Sequence, residues 1–163
     1  MRTALLPGSF DPFHNGHLEI VETASRLFER VVIAPVRNPH KAPAMFTGEE
    51  RSSMIAAAVA HLSNVEVSQH ETPMLTVDVA RVVGADVIVK GLRVSSDAEA
   101  ELQQAQMNKA VSGIETVLVP CSSAYSFIAS MWLRDFMKYG GADRVGAMVP
   151  APVFAAMKEK FAL

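Results

Sequence analysis

The stretch Thr3-Ala-Leu-Leu-Pro-Gly-Ser-Phe-Asp-Pro-Phe-His-Asn-Gly-His17, continuing through Leu18, Ile20, Val21, Ala24, Leu27 and Phe28, decides how this chain folds. Residues 3–6 are a short apolar run that reads as a buried strand ending in a Pro-Gly turn. The positions from Leu18 onward recur with a 3.6-residue period and predict the apolar face of a helix. A strand and a helix are therefore joined by a loop rich in Gly, Ser, Pro and His.

The same alternation continues outward. Residues 31–36, 65–67, 86–89 and 116–119 are further β-branched or aliphatic runs. Between them, Thr47 with Glu50 and Ser96 with Glu99 fit the capping box, in which a hydroxyl and a carboxylate satisfy orphan amides at a helix start. Thr76 is expected to be a third N-cap. Gly84 and Gly140-Gly141 are expected to stop helices, and a last short helix is expected after Pro152. Such a series predicts an α/β fold, with a five-stranded parallel sheet, helices on both faces and right-handed crossovers. No linker, repeat or charge block divides residues 1–163, so one domain is expected. Its ligand site should lie outside the carboxyl ends of the strands, near the switch in strand order.

Composition narrows the partners. The chain has 163 residues, half of them apolar and a fifth charged, which excludes a disordered or fibrous protein. At this length folding hides roughly 70% of the unfolded surface. Fifteen Lys and Arg stand against seventeen Asp and Glu, for a formal charge of −2, so the basic excess of a nucleic-acid binder is missing. Cys121 is the only cysteine and suits a reducing compartment. No apolar stretch approaches the ~20 residues of a spanning helix, and the first residues run into a turn instead of a signal-peptide core. A cytoplasmic protein without membrane or nucleic-acid partners is expected.

The loop after the first strand carries the chemistry. Gly8 frees backbone amides, Ser9 adds a hydroxyl, and Gly16 would let an anion lie against the helix N-terminus. His14 and His17 are three apart and would share a face, directing imidazole N–H groups at one phosphate. Two other readings stay open: a capping or packing pair, or metal ligands, although no HExxH pattern or Cys cluster supplies further ligands. Neither G-x-x-x-x-G-K-[ST] nor G-x-G-x-x-G occurs after a strand, which argues against P-loop and dinucleotide chemistry.

Basic and hydroxyl groups follow the other strands: Arg37 to Lys41 after the second, Lys90 to Arg93 after the fourth, and Ser122 to Ser126 after the fifth. Each alone reads as solvated surface. At the carboxyl ends of one parallel sheet they converge on one cleft, where His17, Lys41, Lys90 and Arg93 would attract a polyphosphate. No activated nucleophile is evident. Phosphoryl or nucleotidyl transfer needs none, because in-line positioning and charge neutralisation suffice.

His14-Asn15-Gly16-His17 resembles the HxGH signature of the nucleotidyltransferase superfamily. The likeness extends through Asn38-Pro-His-Lys41, Met45-Phe-Thr, Glu49-Glu-Arg51, Val87-Ile-Val-Lys-Gly-Leu-Arg93, Ala105-Gln-Met-Asn108 and Tyr125-Ser-Phe-Ile128. In that order they resemble the bacterial phosphopantetheine adenylyltransferase family over nearly the whole chain. The resemblance implies a single Rossmann-like domain, usually a homohexamer. It also implies transfer of the adenylyl group of ATP, with Mg2+, to 4′-phosphopantetheine, giving dephospho-coenzyme A and pyrophosphate in coenzyme A synthesis.

By the same resemblance, His17, Lys41 and Arg93 would be catalytic, with His17 stabilising the pentacovalent α-phosphate. ATP would be bound by Ser9, Phe10, His14, His17, Gly91, Leu92, Arg93, Glu101, Tyr125, Ser126, Phe127, Ile128, Ala129, Ser130 and Met131. The acceptor would be held by Ser9, Lys41, Thr76 and Lys90. Dephospho-coenzyme A or coenzyme A would bind as product-like ligands.

Departures from the family pattern are visible too. Ser9 stands for a threonine, Ala44 is a one-residue insertion, Ala98 and Ala100 replace aromatic residues, and Ala129 and Met131 replace serines. They keep two rivals in view: transfer to another phosphate acceptor such as nicotinate mononucleotide, or a non-catalytic protein that binds coenzyme A or nucleotide. Met54, Met107 and Met137 are expected on helical core faces, and Trp132 in packing between subunits.

Overall fold

The structure, a computed structural model, describes residues 2–37, 43–70, 73–93 and 98–161. Its strands are β1 (Thr3–Gly8), β2 (Arg30–Pro35), β3 (Val65–Val67), β4 (Val87–Leu92) and β5 (Glu115–Pro120), all parallel in the order β3-β2-β1-β4-β5. The helices are α1 (Asn15–Leu27), α2 (Gly48–Ala58), α3 (Thr76–Val83), α4 (Ala98–Ser112), α5 (Ser130–Lys138) and α6 (Ala151–Phe161), with a 3-10 helix at Ala142–Met148.

Successive residues of a strand point to opposite faces, so each central strand feeds two cores. Ala4, Leu6, Val31, Ile33, Val87 and Val89 pack with Val21 of α1, Ile55 of α2, Leu133 of α5 and Met157 of α6. Leu5, Val32, Ala34 and Ile88 pack on the other side against Val79 and Ala80 of α3. Full burial of an aliphatic side chain contributes about 2 kcal/mol, and burial on both faces explains why these runs do not alternate with polar residues.

Two strands run two or more residues further at their carboxyl ends than the sequence suggests. β4 extends through Leu92, so Lys90, Gly91 and Leu92 are strand residues paired with Leu118, Val119 and Pro120 rather than a following loop. β1 extends through Pro7 and Gly8 by pairing with β2, whereas its register with β4 covers Ala4 with Val87 and Leu5 with Ile88. Pro7 cannot donate to a ladder and falls beyond that last pair. The switch in strand order lies between β1 and β4, and α1 begins there. A Cβ on Gly91 would come within 3.0 Å of Cγ1 of Ile20, so the glycine lets α1 pack closely on β4.

The helix punctuation is largely as expected. Thr47 and Glu50 form a reciprocal capping box at α2, and Gly84 ends α3 in the left-handed region with φ 67°. Gly140, at φ 74°, follows α5. Thr76 is not a cap: it is the first residue of α3, and the extended Leu75 before it makes no side-chain capping bond. Ser96 lies outside the described residues. α6 starts at Ala151, which puts Pro152 in the first turn, where a missing N–H is tolerated. Met54 and Met137 are buried, but Met107 is 63% exposed, because α4 buries none of its residues within this chain. Among the described residues no helix is long and apolar enough to cross a membrane.

Candidate active site

In the β1–α1 loop Phe10 is a non-glycine residue in the left-handed region, at φ 49°. Its ring lies over Gly8, where an added Cβ would meet ring atoms at 2.7–3.1 Å. The ring is buried and meets Phe13 edge-on at 5.6 Å and His17 edge-on at 5.0 Å. Phe13 in turn stacks on His17 at 5.5 Å, so the His17 imidazole is framed by aromatic rings.

His14 is the N-cap of α1, and its buried Nδ1 accepts the amide hydrogens of Gly16 (3.1 Å) and His17 (3.4 Å). Nδ1 of His17 accepts the His14 amide hydrogen at 3.2 Å, and the two rings stack with centroids 3.6 Å apart. This is a capping box built from two histidines. An Nδ1 that accepts carries no proton, so in the neutral form of either ring the proton sits on Nε2. The capping reading, one of the alternatives in the sequence, is the one these bonds describe.

The same geometry corrects the reading of Gly16. A Cβ there would meet Cε1 and Nδ1 of His14 at 3.0 and 3.1 Å and the Tyr125 carbonyl at 3.4 Å. Gly16 makes room for protein, and its own amide and that of His17 are already bonded to His14 Nδ1. Burial, assisted by the nearby Arg93 charge, lowers the His14 pKa from 6.5 to about 3.

Arg93 follows β4 and donates through Nη1 to the Ile128 carbonyl at 3.1 Å. Arg93 is thus tied to the 125–128 segment, whose Tyr125 carbonyl lies 3.4 Å from where a Cβ on Gly16 would stand. Ile128 itself is buried, Tyr125, Ser126, Ala129 and Ser130 are half-buried, and Phe127 and Met131 are exposed. Ser130 Oγ donates to the Pro12 carbonyl at 2.9 Å, docking the start of α5 on the β1–α1 loop. Lys90 Nζ and Glu101 Oε2 lie 3.4 Å apart, joining β4 to α4. Ala100 is exposed, so the ring absent there opens no hole in this chain's core. Thr76 stands apart at the head of α3, and Lys41 lies outside the described residues.

Three residues hold the loop, and sequence reasoning gave Asp11 and Arg51 among them no site role. The buried Asp11 carboxylate accepts the amide hydrogens of Met45 (2.8 Å) and Phe46 (2.9 Å). The buried Arg51 donates to the Ser9 carbonyl at 2.6 Å, and Arg134 donates to the Asp11 carbonyl at 2.8 Å. Beyond Arg51, a cavity of ≈ 400 Å³ is lined by Val36, Arg37, Glu49, His70 and Met74, among others, at the ends of β2 and β3.

The model of the cytidylyltransferase-like family matches residues 5–136. A phosphopantetheine adenylyltransferase of Gloeobacter violaceus is 48% identical over 160 residues, covering 98% of this chain and 96% of its own. The chain belongs to the phosphopantetheine adenylyltransferases of the cytidylyltransferase-like family. Relatives with the same name in a Synechococcus strain (JA-2-3B'a(2-13)) and in Heliobacterium modesticaldum are 45% and 43% identical, over 98% and 99% of this chain and 98% and 94% of theirs.

Proposed function

We propose that this chain transfers the adenylyl group of ATP to 4′-phosphopantetheine, releasing pyrophosphate and forming dephospho-coenzyme A. A phosphate oxygen of the acceptor attacks the α-phosphorus, a new P–O bond forms, and the bond to the β-phosphate oxygen breaks with its electron pair leaving on pyrophosphate. The observation that carries this reading is the pair of imidazoles locked tautomerically at the head of α1, beside Arg93. His17 is assigned to the charge that builds on the transferred phosphate, where a preorganised donor lowers the barrier. Arg93 and Lys41 would neutralise further phosphate charge.

Ser9 is proposed to meet both substrates, and Phe10, whose ring is buried, to contact ATP through its backbone. Gly91, Leu92, Glu101 and residues 125–131 are assigned to the ATP side. Thr76 and Lys90 are assigned to the acceptor side. Mg2+ is proposed to arrive with the triphosphate. The described residues hold no group of three or more potential His, Cys, Asp or Glu ligands, and Mg2+ commonly takes substrate phosphates and water instead. It would add Lewis-acid neutralisation of the phosphate oxygens.

A homohexamer in the cytoplasm is proposed as well, supported by the exposed Trp132, Phe136 and Tyr139 of the α5 region and Leu102, Met107 and Val111 of α4. The deciding assay is Mg-dependent pyrophosphate release from ATP with 4′-phosphopantetheine, run beside nicotinate mononucleotide. Turnover with the former alone is expected. Turnover with the latter alone, or coenzyme A binding without any turnover, would overturn the proposal.

A further inference from the structure

We infer that Arg51 is a positioning residue for adenylyl transfer, acting through the Ser9 carbonyl on the loop that presents Ser9 and His17. The inference rests on the proposed reaction for its kinetic readout but not for its structural one. Arg51 is buried, in the first turn of α2, and its guanidinium divides its donors between two segments: Nη1 to the Ser9 carbonyl at 2.6 Å and Nε to the Thr47 carbonyl at 3.3 Å. Burial pushes its pKa down, and the Asp11 carboxylate opposes that shift.

Asp11 completes the link. Its two oxygens take the Met45 and Phe46 amides, immediately before Thr47, so the segment entering α2 is fastened to the β1–α1 loop at both ends. On the far side, Arg134 of α5 grips the Asp11 carbonyl and lies 4.0 Å from its Oδ2. Only two residues separate Asp11 from the capping histidine. A shift of the Ser9 carbonyl is therefore passed through Phe10, whose ring borders His17, to the catalytic imidazole. A planar guanidinium can reach both carbonyls in one fixed geometry, whereas a single ammonium cannot.

The test compares wild type with Arg51→Lys and Asp11→Asn. Each variant's thermal unfolding is recorded first, and Arg51→Ala with added guanidinium serves as the second route should Arg51→Lys not fold. Expected are a fall of at least tenfold in kcat with KM for ATP changed less than threefold in Arg51→Lys, and partial rescue of Arg51→Ala by guanidinium but not by methylammonium. Nitrogen-15 spectra of the imidazoles provide a readout that needs no turnover: the His17 ring signals should move or broaden in Arg51→Lys. A folded Arg51→Lys with wild-type kcat and unmoved His17 signals would overturn the inference. Absence of turnover in the wild type would overturn the proposed function instead, and the spectra would still decide the role of Arg51.

Discussion

His14 and His17 bind each other's backbone: each Nδ1 accepts the amide hydrogen of the other residue, at 3.4 and 3.2 Å, while the rings stack at 3.6 Å. The reciprocity fixes ring orientation and tautomer together, which is what a transition-state donor needs, since no reorganisation is then required during reaction. Replacing His17 by Ala removes the proposed donor and one half of the cap. A loss of about 10²- to 10³-fold in kcat is expected from steady-state pyrophosphate release, the scale for one transition-state donor. A variant within a few fold of wild type would remove His17 from that role.

Titration of His14 gives a second expectation. Its folded pKa, about 3, lies below its ordinary 6.5, so between these values the unfolded chain binds more protons than the folded one. Stability is then fully present above pH 6.5 and declines as pH falls toward 3. At pH 5 the decline is about 2 kcal/mol. Asn caps helices without titrating in this range, so His14→Asn should lack this component. Urea unfolding at pH 8 and pH 5 should show a steeper drop for wild type by about that amount. Parallel pH slopes would mean that His14 protonates freely in the folded protein.

What was legible in the sequence was local. The Thr47–Glu50 box, the Gly84 stop and the five apolar runs each depend on residues within one turn or one strand, and they appear where the pattern puts them. Boundaries shifted where pairing partners decide: β4 runs on through Leu92 because β5 is there to pair with it. The supports of the site were illegible because they span the chain. Asp11 meets residues 45 and 46, Arg51 meets Ser9, and Arg134 meets Asp11, and nothing near any of them in sequence marks the partner. The exposed Met107 shows the complementary failure, since an apolar helical position identifies a buried face only when this chain itself covers it.

The α2 start joins stability to the site. Thr47 Oγ1 accepts the Glu50 amide hydrogen, and the Glu50 carboxylate accepts from the Thr47 amide and from Lys160 of α6, which holds its pKa below the ordinary carboxylate value. Thr47→Ala should lower unfolding free energy by about 1 kcal/mol with an unchanged m-value. Because the backbone carbonyl that Arg51 holds is retained, kcat should change less than it does in Arg51→Lys. Equal kcat losses in the two variants would place the coupling in the cap instead of the guanidinium.

Two glycines separate strain at the site from strain elsewhere. At Gly84 an added Cβ meets nothing within 4 Å, but φ is 67°, so Gly84→Ala is penalised by about 1–2 kcal/mol of left-handed backbone strain alone. At Gly16 there is no such φ, yet the Cβ would press on His14 at 3.0 Å and on the Tyr125 carbonyl at 3.4 Å. Overpacking of this kind costs about 1–3 kcal/mol, and here the neighbour that must give way is the capping imidazole. The two variants should therefore melt at similarly lowered temperatures while only Gly16→Ala loses turnover, by tenfold or more. Were Gly84→Ala to lose as much activity at a temperature where it is fully folded, general destabilisation would account for both results and the histidine cap would have no separate claim on catalysis.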